Sequence, residues 1–518
     1  MQKFLLKGFD VLKHIIFFTL IFIGTARLIA VHGEFDFDNL WHIKMGEDII
    51  KNGVIDCNNY YSWIEGTQWN QQEWLFDVLL YLSLSLFGLV GYYLFYTISQ
   101  VILYTSGYLL NRKRLHYPLV YFVFIIVYLY NTPILLMNRP AGLSTLFTVL
   151  FMILFRQPSW KTILLYFVSG LIIGNLHCGT VVPLLVLFLL QFVLNIITDV
   201  FICNGRERKN YYFYLYNFMS LGVFVIGVCI NPRGVIQLFD MFTAIHLDTL
   251  RYISEWCQYP MGHYMSALIP LFIVLSFGYS LCKRKWSRNM IVEIGTITAF
   301  LLASLVSVKS VNAYQYLFIV FGYKYVDEFL HSLIQYVYNM KPKIASIGNK
   351  IIQICKIKIT RWTMLIPIVC GLFLVSVLYP YGVVKSYDSL LSEKQSKYIT
   401  EDILNYLKEN PNEHLLHGYI TGNILMYNDI KVFVDTRQHP YAKEFGFSET
   451  MDNLIDIKIS DSKSELDMFF DYYDFTEVLV NRELPLQIYL SQRDDFEVKL
   501  KDEEAGVYLW VRTSKSDN

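Results

Sequence analysis

The sequence predicts an α-helical polytopic membrane protein of about eleven spans, each needing roughly 20 apolar residues, followed by a C-terminal extracytoplasmic α/β domain. Three observations carry this expectation. Of 518 residues, 54% are hydrophobic and 17% charged, with a mean hydropathy of +0.37, which is less charge than a soluble chain of this size carries. Long apolar runs recur up to residue 383 and then stop. Basic residues are crowded in every second connection between runs and sparse in the others, as the positive-inside rule requires.

Taken in order, Lys3, Lys7 and Lys13 precede the apolar run Ile15–Ile23, and Gly24–Thr25–Ala26 is followed at once by Arg27. That is a poor cleavage site, so 11–31 reads as a retained signal anchor. Further spans are expected at 89–110, 117–136, 141–156, 161–178, 180–201, 212–230, 264–282, 290–307, 311–330 and 363–383. The windows 141–156 and 290–307 are short, and 311–330 carries Lys324, Asp327 and Glu328 near its inner end. With the N-terminus inside, the inner loops hold Arg112, Lys113 and Arg114, then Arg156 and Lys161, then Arg206, Arg208 and Lys209, then Lys283, Arg284, Lys285 and Arg288. The last inner loop runs from Lys341 to Arg361 and is equally basic, whereas the outer segments contain only Lys44, Lys51, Arg139, Arg233, Arg251 and Lys309. An odd number of spans then puts everything from Val384 onward outside.

Two domains follow from this layout: a membrane domain over 1–383, with a first outer loop at 32–73, and an extracytoplasmic domain over 384–518. In the tail, Leu391–Asn410 has helical periodicity, and Lys431–Asp435, Thr476–Val480, Phe496–Leu500 and Val507–Val511 read as strands. Helical patterns at 444–458 and 462–473 lie between them, and this alternation argues for an α/β unit. A formal net charge of zero removes any bulk attraction for nucleic acid. The eight cysteines include no C-x-x-C pair, which excludes a zinc site of that spacing and a disulfide framework. Cys57 and Cys257 fall in outer segments, with no spacing that fixes a pair.

The first outer loop carries the chemistry-bearing residues. From Phe35 to Leu75 it reads FDFDNLWHIKMGEDIIKNGVIDCNNYYSWIEGTQWNQQEWL. Asp36 and Asp38 repel one another and are costly to ionise beside a bilayer. They become favourable when they hold a cation or when one serves as a base. His42 stands one helical turn after Asp38. A helix with Leu40, Ile43 and Ile50 on one face is expected to stop at Gly53, and Tyr60, Tyr61, Trp63, Trp69 and Trp74 suit headgroup depth. Elsewhere on the outer side stand Asn138–Arg139–Pro140, Asn175–Leu176–His177, Asn231–Pro232–Arg233–Gly234 and Glu255–Trp256. His177 ends an apolar helix, where an ionisable group faces a cavity. Arg139, Arg233 and Arg251 have the fork geometry that grips phosphate.

These motifs, in this order, resemble bacterial GT-C-fold membrane glycosyltransferases, similar to the protein mannosyltransferase and aminoarabinose transferase families. Their first loop follows D-x-D-x-W-W-H-x-x-x-G, then a segment ending F-S-W, then H-E-W-L. Here Asp36, Asp38, His42, Gly46, Tyr61–Ser62–Trp63 and Glu73–Trp74–Leu75 stand in those places. Arg139–Pro140 resembles R-P-Q, Asn175–Leu176–His177 resembles N-L-H-G, and Asn231–Gly234 resembles N-P-Y-G. Gly418–Gly422 and Val434–Arg437 resemble G-G-Y-L and F-x-D-x-R. The chain departs at Leu40, Asp56, Asn59, Ala141, Cys178 and Arg233, and at Gln72, which replaces a histidine before Glu73 and bears on metal dependence.

The resemblance implies a GT-C-like membrane domain and a sugar donor on a polyprenyl phosphate, bound at the outer face of a bacterial plasma membrane. The acceptor would be a glycan, lipid or protein. It implies Asp38 as general base, Asp36 as alternative base or metal ligand, and His42 as their partner. Arg139, His177, Arg233, Glu73 and Glu255 would bind substrate and its phosphate. The one cofactor it admits is a divalent ion, magnesium or manganese, on Asp36 and Asp38. The rival classes are a transporter or flippase of lipid-linked saccharide and a non-catalytic assembly protein. A transporter should carry ionisable residues near mid-membrane and internal repeats; this chain puts its acids at the surface and has no repeat.

Overall fold

The computed structural model describes residues 35–55, 59–69, 71–117, 120–121, 139–202, 209–244, 264–283, 286–306, 310–340, 386–412, 414–437, 439–441, 462–481 and 484–513. The chain divides into two compact units. One comprises Met1–Glu34, Tyr93–Asn231 and Arg251–Val383; the other comprises Phe35–Tyr92, Pro232–Leu250 and Val384–Asn518.

The first unit is helical. Its helices include Leu94–Asn111, Leu146–Leu154, Trp160–Leu176, Val181–Phe201, Tyr211–Val228, Tyr264–Lys283 and Arg288–Val306. Among the described residues, three helical stretches are long and apolar enough to cross a membrane: Cys178–Phe201, Tyr211–Val228 and Arg288–Val306. Trp74–Leu89, Pro140–Leu154, Trp160–Leu176 and Leu271–Lys283 are apolar but shorter. The spans expected at 11–31 and 363–383, and most of 117–136, lie outside the described residues. On Val181–Phe201, Val186, Leu189, Val193, Ile197 and Val200 are all exposed along one stripe, a face that suits lipid rather than water.

Backbone contact, not bulk, joins Trp160–Leu176 to Tyr211–Val228. A Cβ on Gly170 would lie 2.2 Å from the Phe224 carbonyl oxygen, and one on Gly174 would lie 2.4 Å from that of Val228. Small residues of this kind let membrane helices approach closely where hydrophobic burial gives no drive. The expected span 311–330 is broken: Val311–Leu317 passes through the π-helical turn Phe318–Gly322 into Tyr323–Met340. Lys324 and Asp327 are both engaged. Lys324 Nζ lies 2.5 Å from Glu293, which also accepts from Arg156 at 2.7 Å and from the Tyr325 hydroxyl at 2.5 Å. Asp327 accepts the backbone N–H groups of His116 and Tyr117 at 2.5 and 3.0 Å.

The second unit combines the first loop with the tail. Asp38–Asn52 forms the expected helix, closed by Gly53 in the left-handed region (φ 67°). It packs on Trp74–Tyr92, an apolar helix whose first part the sequence reading left outside the spans and which kinks at Gly88. A four-stranded sheet has the order β1-β2-β4-β3, with β1 Leu415–Leu416, β2 Glu477–Asn481, β3 Phe496–Asp502 and β4 Val507–Arg512. The β1–β2 pair is parallel and the other pairs are antiparallel. Helices Tyr387–Gln395, Glu401–Glu409, Tyr419–Tyr427, Lys463–Tyr473 and Leu484–Ser491 accompany it.

Two expectations are corrected here. Lys431–Asp435 forms no ladder strand: Val432 makes one isolated bridge, to Ser62 of the first loop. The helical pattern over 391–410 is two helices separated by 396–400. The pattern at 444–458 lies outside the described residues. Of the loop aromatics, Tyr60 is exposed and Trp69 is buried. Trp63 stacks on Phe433 and packs on the tail core of Phe469, Phe470, Phe475 and Trp510.

Candidate functional site

Asp36 and Asp38 occupy different environments. Asp36 is buried, and its Oδ1 accepts the Asp38 backbone N–H at 3.1 Å. That bond covers one of the open N–H groups at the helix entry, where Phe37 supplies no side-chain cap. Asp38 is half-buried in the first turn, where the helix dipole favours negative charge. Its Oδ1 accepts the Thr436 hydroxyl at 2.5 Å. The tail therefore reaches the leading candidate base through a residue that the sequence reading did not single out.

One turn on, His42 is buried between two acids. Its Nδ1 lies 2.5 Å from Asp77 Oδ1, and its Nε2 lies 3.6 Å from Glu73 Oε2. Trp41 stacks on its ring and Phe76 meets it edge-on. Asp77 was missed; the available signal was its position four residues after Glu73, on the same helical face. Gly46 makes the arrangement feasible. A Cβ there would lie 2.1 Å from the Asp77 carbonyl oxygen, so only glycine lets the two helices approach where Asp77 faces His42.

On the far side of the helix, Lys44 Nζ is 2.5 Å from Asp429 and 3.5 Å from Glu47 and from Asp48. Burial pulls its pKa down, but the bond to Asp429 and the surrounding carboxylates outweigh this and raise it. The Tyr61 hydroxyl donates to Asp48 at 2.5 Å; its pKa is raised by burial and by that bond.

Below Thr436 lies a fully buried ion pair. Arg437 donates to Asp435 twice, from Nε at 2.8 Å and from Nη2 at 2.5 Å, and to Asn59 Oδ1 at 2.8 Å. The Tyr441 hydroxyl donates to Asp435 Oδ2 at 2.8 Å, and the rings of Tyr61 and Trp69 lie 5.3 Å from the guanidinium. Burial pushes the Asp435 carboxyl up, yet the Arg437 charge and these hydrogen bonds hold it below the ordinary range.

The remaining candidates are placed as follows. In the first unit, Arg139 is the extended residue before the short helix Pro140–Ser144. His177 Nδ1 lies 3.0 Å from Ser144 Oγ, at the other end of that short helix, and 2.7 Å from Thr180 Oγ1. In the second unit, Arg233 Nη1 is engaged by Asp240 Oδ2 at 2.5 Å. Glu255 lies outside the described residues. Among the described residues, no group of three or more His, Cys, Asp or Glu side chains converges as a metal-ligand set. Asp36 Oδ1 and Asp38 Oδ1 both accept protein hydrogen bonds, so a divalent ion on these acids would use their other oxygens; no step below passes through one.

No family model and no curated protein matches the sequence. Among solved structures, the chain is similar to the oligosaccharyltransferase of Archaeoglobus fulgidus in the apo form, with 12% identity and a TM-score of 0.53 over 90% of this chain and 69% of that one. The same enzyme tethered to an acceptor peptide containing the NVT sequon matches with 12% identity and a TM-score of 0.50, over 90% and 69%. Its complex with an inhibitory peptide and a dolichol-phosphate matches with 13% identity and a TM-score of 0.50, over 97% and 74%. The chain shares the overall fold of that archaeal enzyme. The likeness covers most of the chain; these archaeal structures do not single out the bacterial mannosyltransferase or aminoarabinose branch.

Proposed function

We propose that the chain is a multi-pass membrane glycosyltransferase that moves a sugar from a polyprenyl-phosphate-linked donor to a cell-surface acceptor, with Asp38 as general base. The observation that carries this reading is the environment of Asp38. It is a half-buried carboxylate at a helix start, inside a unit built from the first loop and the tail, in a chain that shares the fold of the archaeal oligosaccharyltransferase. The archaeal neighbour bound to dolichol-phosphate supports a lipid-linked phosphate donor. The basic inner loops support placing the first loop and the tail outside the membrane.

In this mechanism the acceptor oxygen attacks the anomeric carbon, the bond from that carbon to the carrier phosphate breaks, and Asp38 takes the acceptor proton. The phosphate leaves as an anion, so no general acid is required. Arg233, in the same unit as Asp38, is the group proposed to meet its charge, as preorganised donors do at developing anions. The Arg233–Asp240 pair would have to open or share its charge for this.

The test is sugar transfer from labelled polyprenyl-linked donors by membranes carrying Asp38→Asn or Asp36→Asn protein. Loss of general base catalysis should slow the Asp38 variant by roughly 10²–10⁴-fold. Full activity in both variants would reject the site.

A further inference from the structure

We propose that Thr436 is a positioning residue for Asp38, so that the tail orients the base; this rests on the glycosyl-transfer reading above. The case comes from the hydrogen atoms available. The side chain of Asn423 makes three bonds. Its Oδ1 accepts the Thr436 backbone N–H at 3.1 Å, and its Nδ2 donates to the Phe37 carbonyl at 3.1 Å and to Thr436 Oγ1 at 2.7 Å. A backbone N–H can only donate and a carbonyl can only accept, so the orientation of this amide is forced. Thr436 Oγ1 therefore receives a proton from Asn423, and its own single proton is directed at Asp38 Oδ1, 2.5 Å away. Asp38, ionised as a general base must be, accepts that proton. This bond holds one carboxylate oxygen and thereby sets the plane in which the other faces an acceptor.

The surroundings fix the donor. Thr436 stands between Asp435 and Arg437, whose buried pair holds the turn, and the Tyr419 hydroxyl donates to the Thr436 carbonyl at 3.2 Å. Asn423 also ties the same turn to Phe37, the residue before Asp38. A base misplaced by about 1 Å can lose on the order of 10²-fold in rate, which is the size of effect such a bond can control.

The experiment uses the full-length chain in membranes with the labelled polyprenyl-linked donor. Thr436→Val removes the donor and keeps the shape, whereas Thr436→Ser keeps the donor. The expected result is a kcat at least tenfold lower for the valine variant, a donor KM within about twofold of wild type, and restoration by serine to within about threefold, since only a bond exercised in the transition state lowers kcat alone. If the valine variant is unstable, Thr436→Ala takes its place in the same comparison with serine. Wild-type kcat in the valine or alanine variant, or a serine variant as slow as alanine, overturns the proposal while wild-type protein remains active. A wild-type chain that transfers no sugar from any donor overturns the glycosyl-transfer reading and this inference with it.

Discussion

Removing Arg437 should destabilise the unit that holds the first loop, and removing its partner at the same time should restore most of the loss. Both side chains of the Asp435–Arg437 pair are fully excluded from solvent. Asp435 accepts four hydrogen bonds: the Arg437 backbone N–H, its Nε and Nη2, and the Tyr441 hydroxyl. Arg437→Met deletes the two guanidinium bonds and leaves a buried carboxylate with only a backbone amide and a phenol. Breaking a buried pair from one side costs about 3–5 kcal/mol. Asp435→Asn leaves the cation with Asn59 and the faces of Tyr61 and Trp69, contacts it already makes in the wild type, so a loss of about 3–5 kcal/mol is again expected. The double variant Asp435→Leu/Arg437→Met removes both charges and should fall within about 2 kcal/mol of wild type, because apolar replacement of a buried pair is often close to neutral. Urea unfolding followed by tryptophan fluorescence reads this directly, since Trp63, Trp69 and Trp510 lie in the same unit. Additive losses in the double variant, or an Arg437→Met protein as stable as wild type, would refute the reasoning.

Acid should act on the same pair. Asp435 is held below its ordinary value, so its contribution is complete above an unfolded-state pKa of about 3.9 and is lost as pH falls through the lower folded value; urea midpoints should drop in that acid window more steeply in wild type than in the double variant. Gly46→Ala should destabilise despite gaining about 1 kcal/mol of helix propensity. Its Cβ would meet backbone at 2.1 Å, overpacking of that kind costs about 1–3 kcal/mol, and a more stable alanine variant in urea unfolding would contradict it. Gly174→Leu should separate Trp160–Leu176 from Tyr211–Val228, since the added Cβ alone would sit 2.4 Å from the Val228 oxygen; cysteine cross-linking across the pair should fall, and unchanged cross-linking would count against the packing.

Local signals in the sequence were sufficient for much of the fold. The windows 161–178, 180–201 and 212–230 lie within a few residues of Trp160–Leu176, Val181–Phe201 and Tyr211–Val228, because long apolar runs mark a helix without help from elsewhere in the chain. The strands at 476–480, 496–500 and 507–511 were legible for the same reason. Strand β1 has two residues, too few to carry a period. Lys431–Asp435 has the composition of a strand, but the Tyr61–Trp63 segment takes its hydrogen bonds, with Val432 N–H donating to Tyr61 at 2.8 Å and Trp63 N–H donating to Val432 at 3.1 Å. The Asp38–Thr436 bond joins residues 398 positions apart, and no spacing rule reaches that far.

The Asp-x-Asp spacing does not distinguish the two acids, and the structure places them in different environments. A residue two positions before a helix start can turn its carboxylate back onto the first exposed N–H, as Asp36 does. One of its oxygens is thereby committed to starting the helix, and the residue is buried. Asp38 begins the helix itself, so its side chain leaves the axis toward the tail rather than back along the chain. It is the less buried of the two, and it is the one held by a side-chain hydroxyl. Exchanging their roles would shift the helix start by two residues, about half a turn, which would also carry His42 away from Asp77 and Gly46 away from the close approach it permits. The spacing of Asp36, Asp38, His42 and Gly46 is thus one constraint, set by a single helix that must start, pack and present a carboxylate at fixed positions along its length.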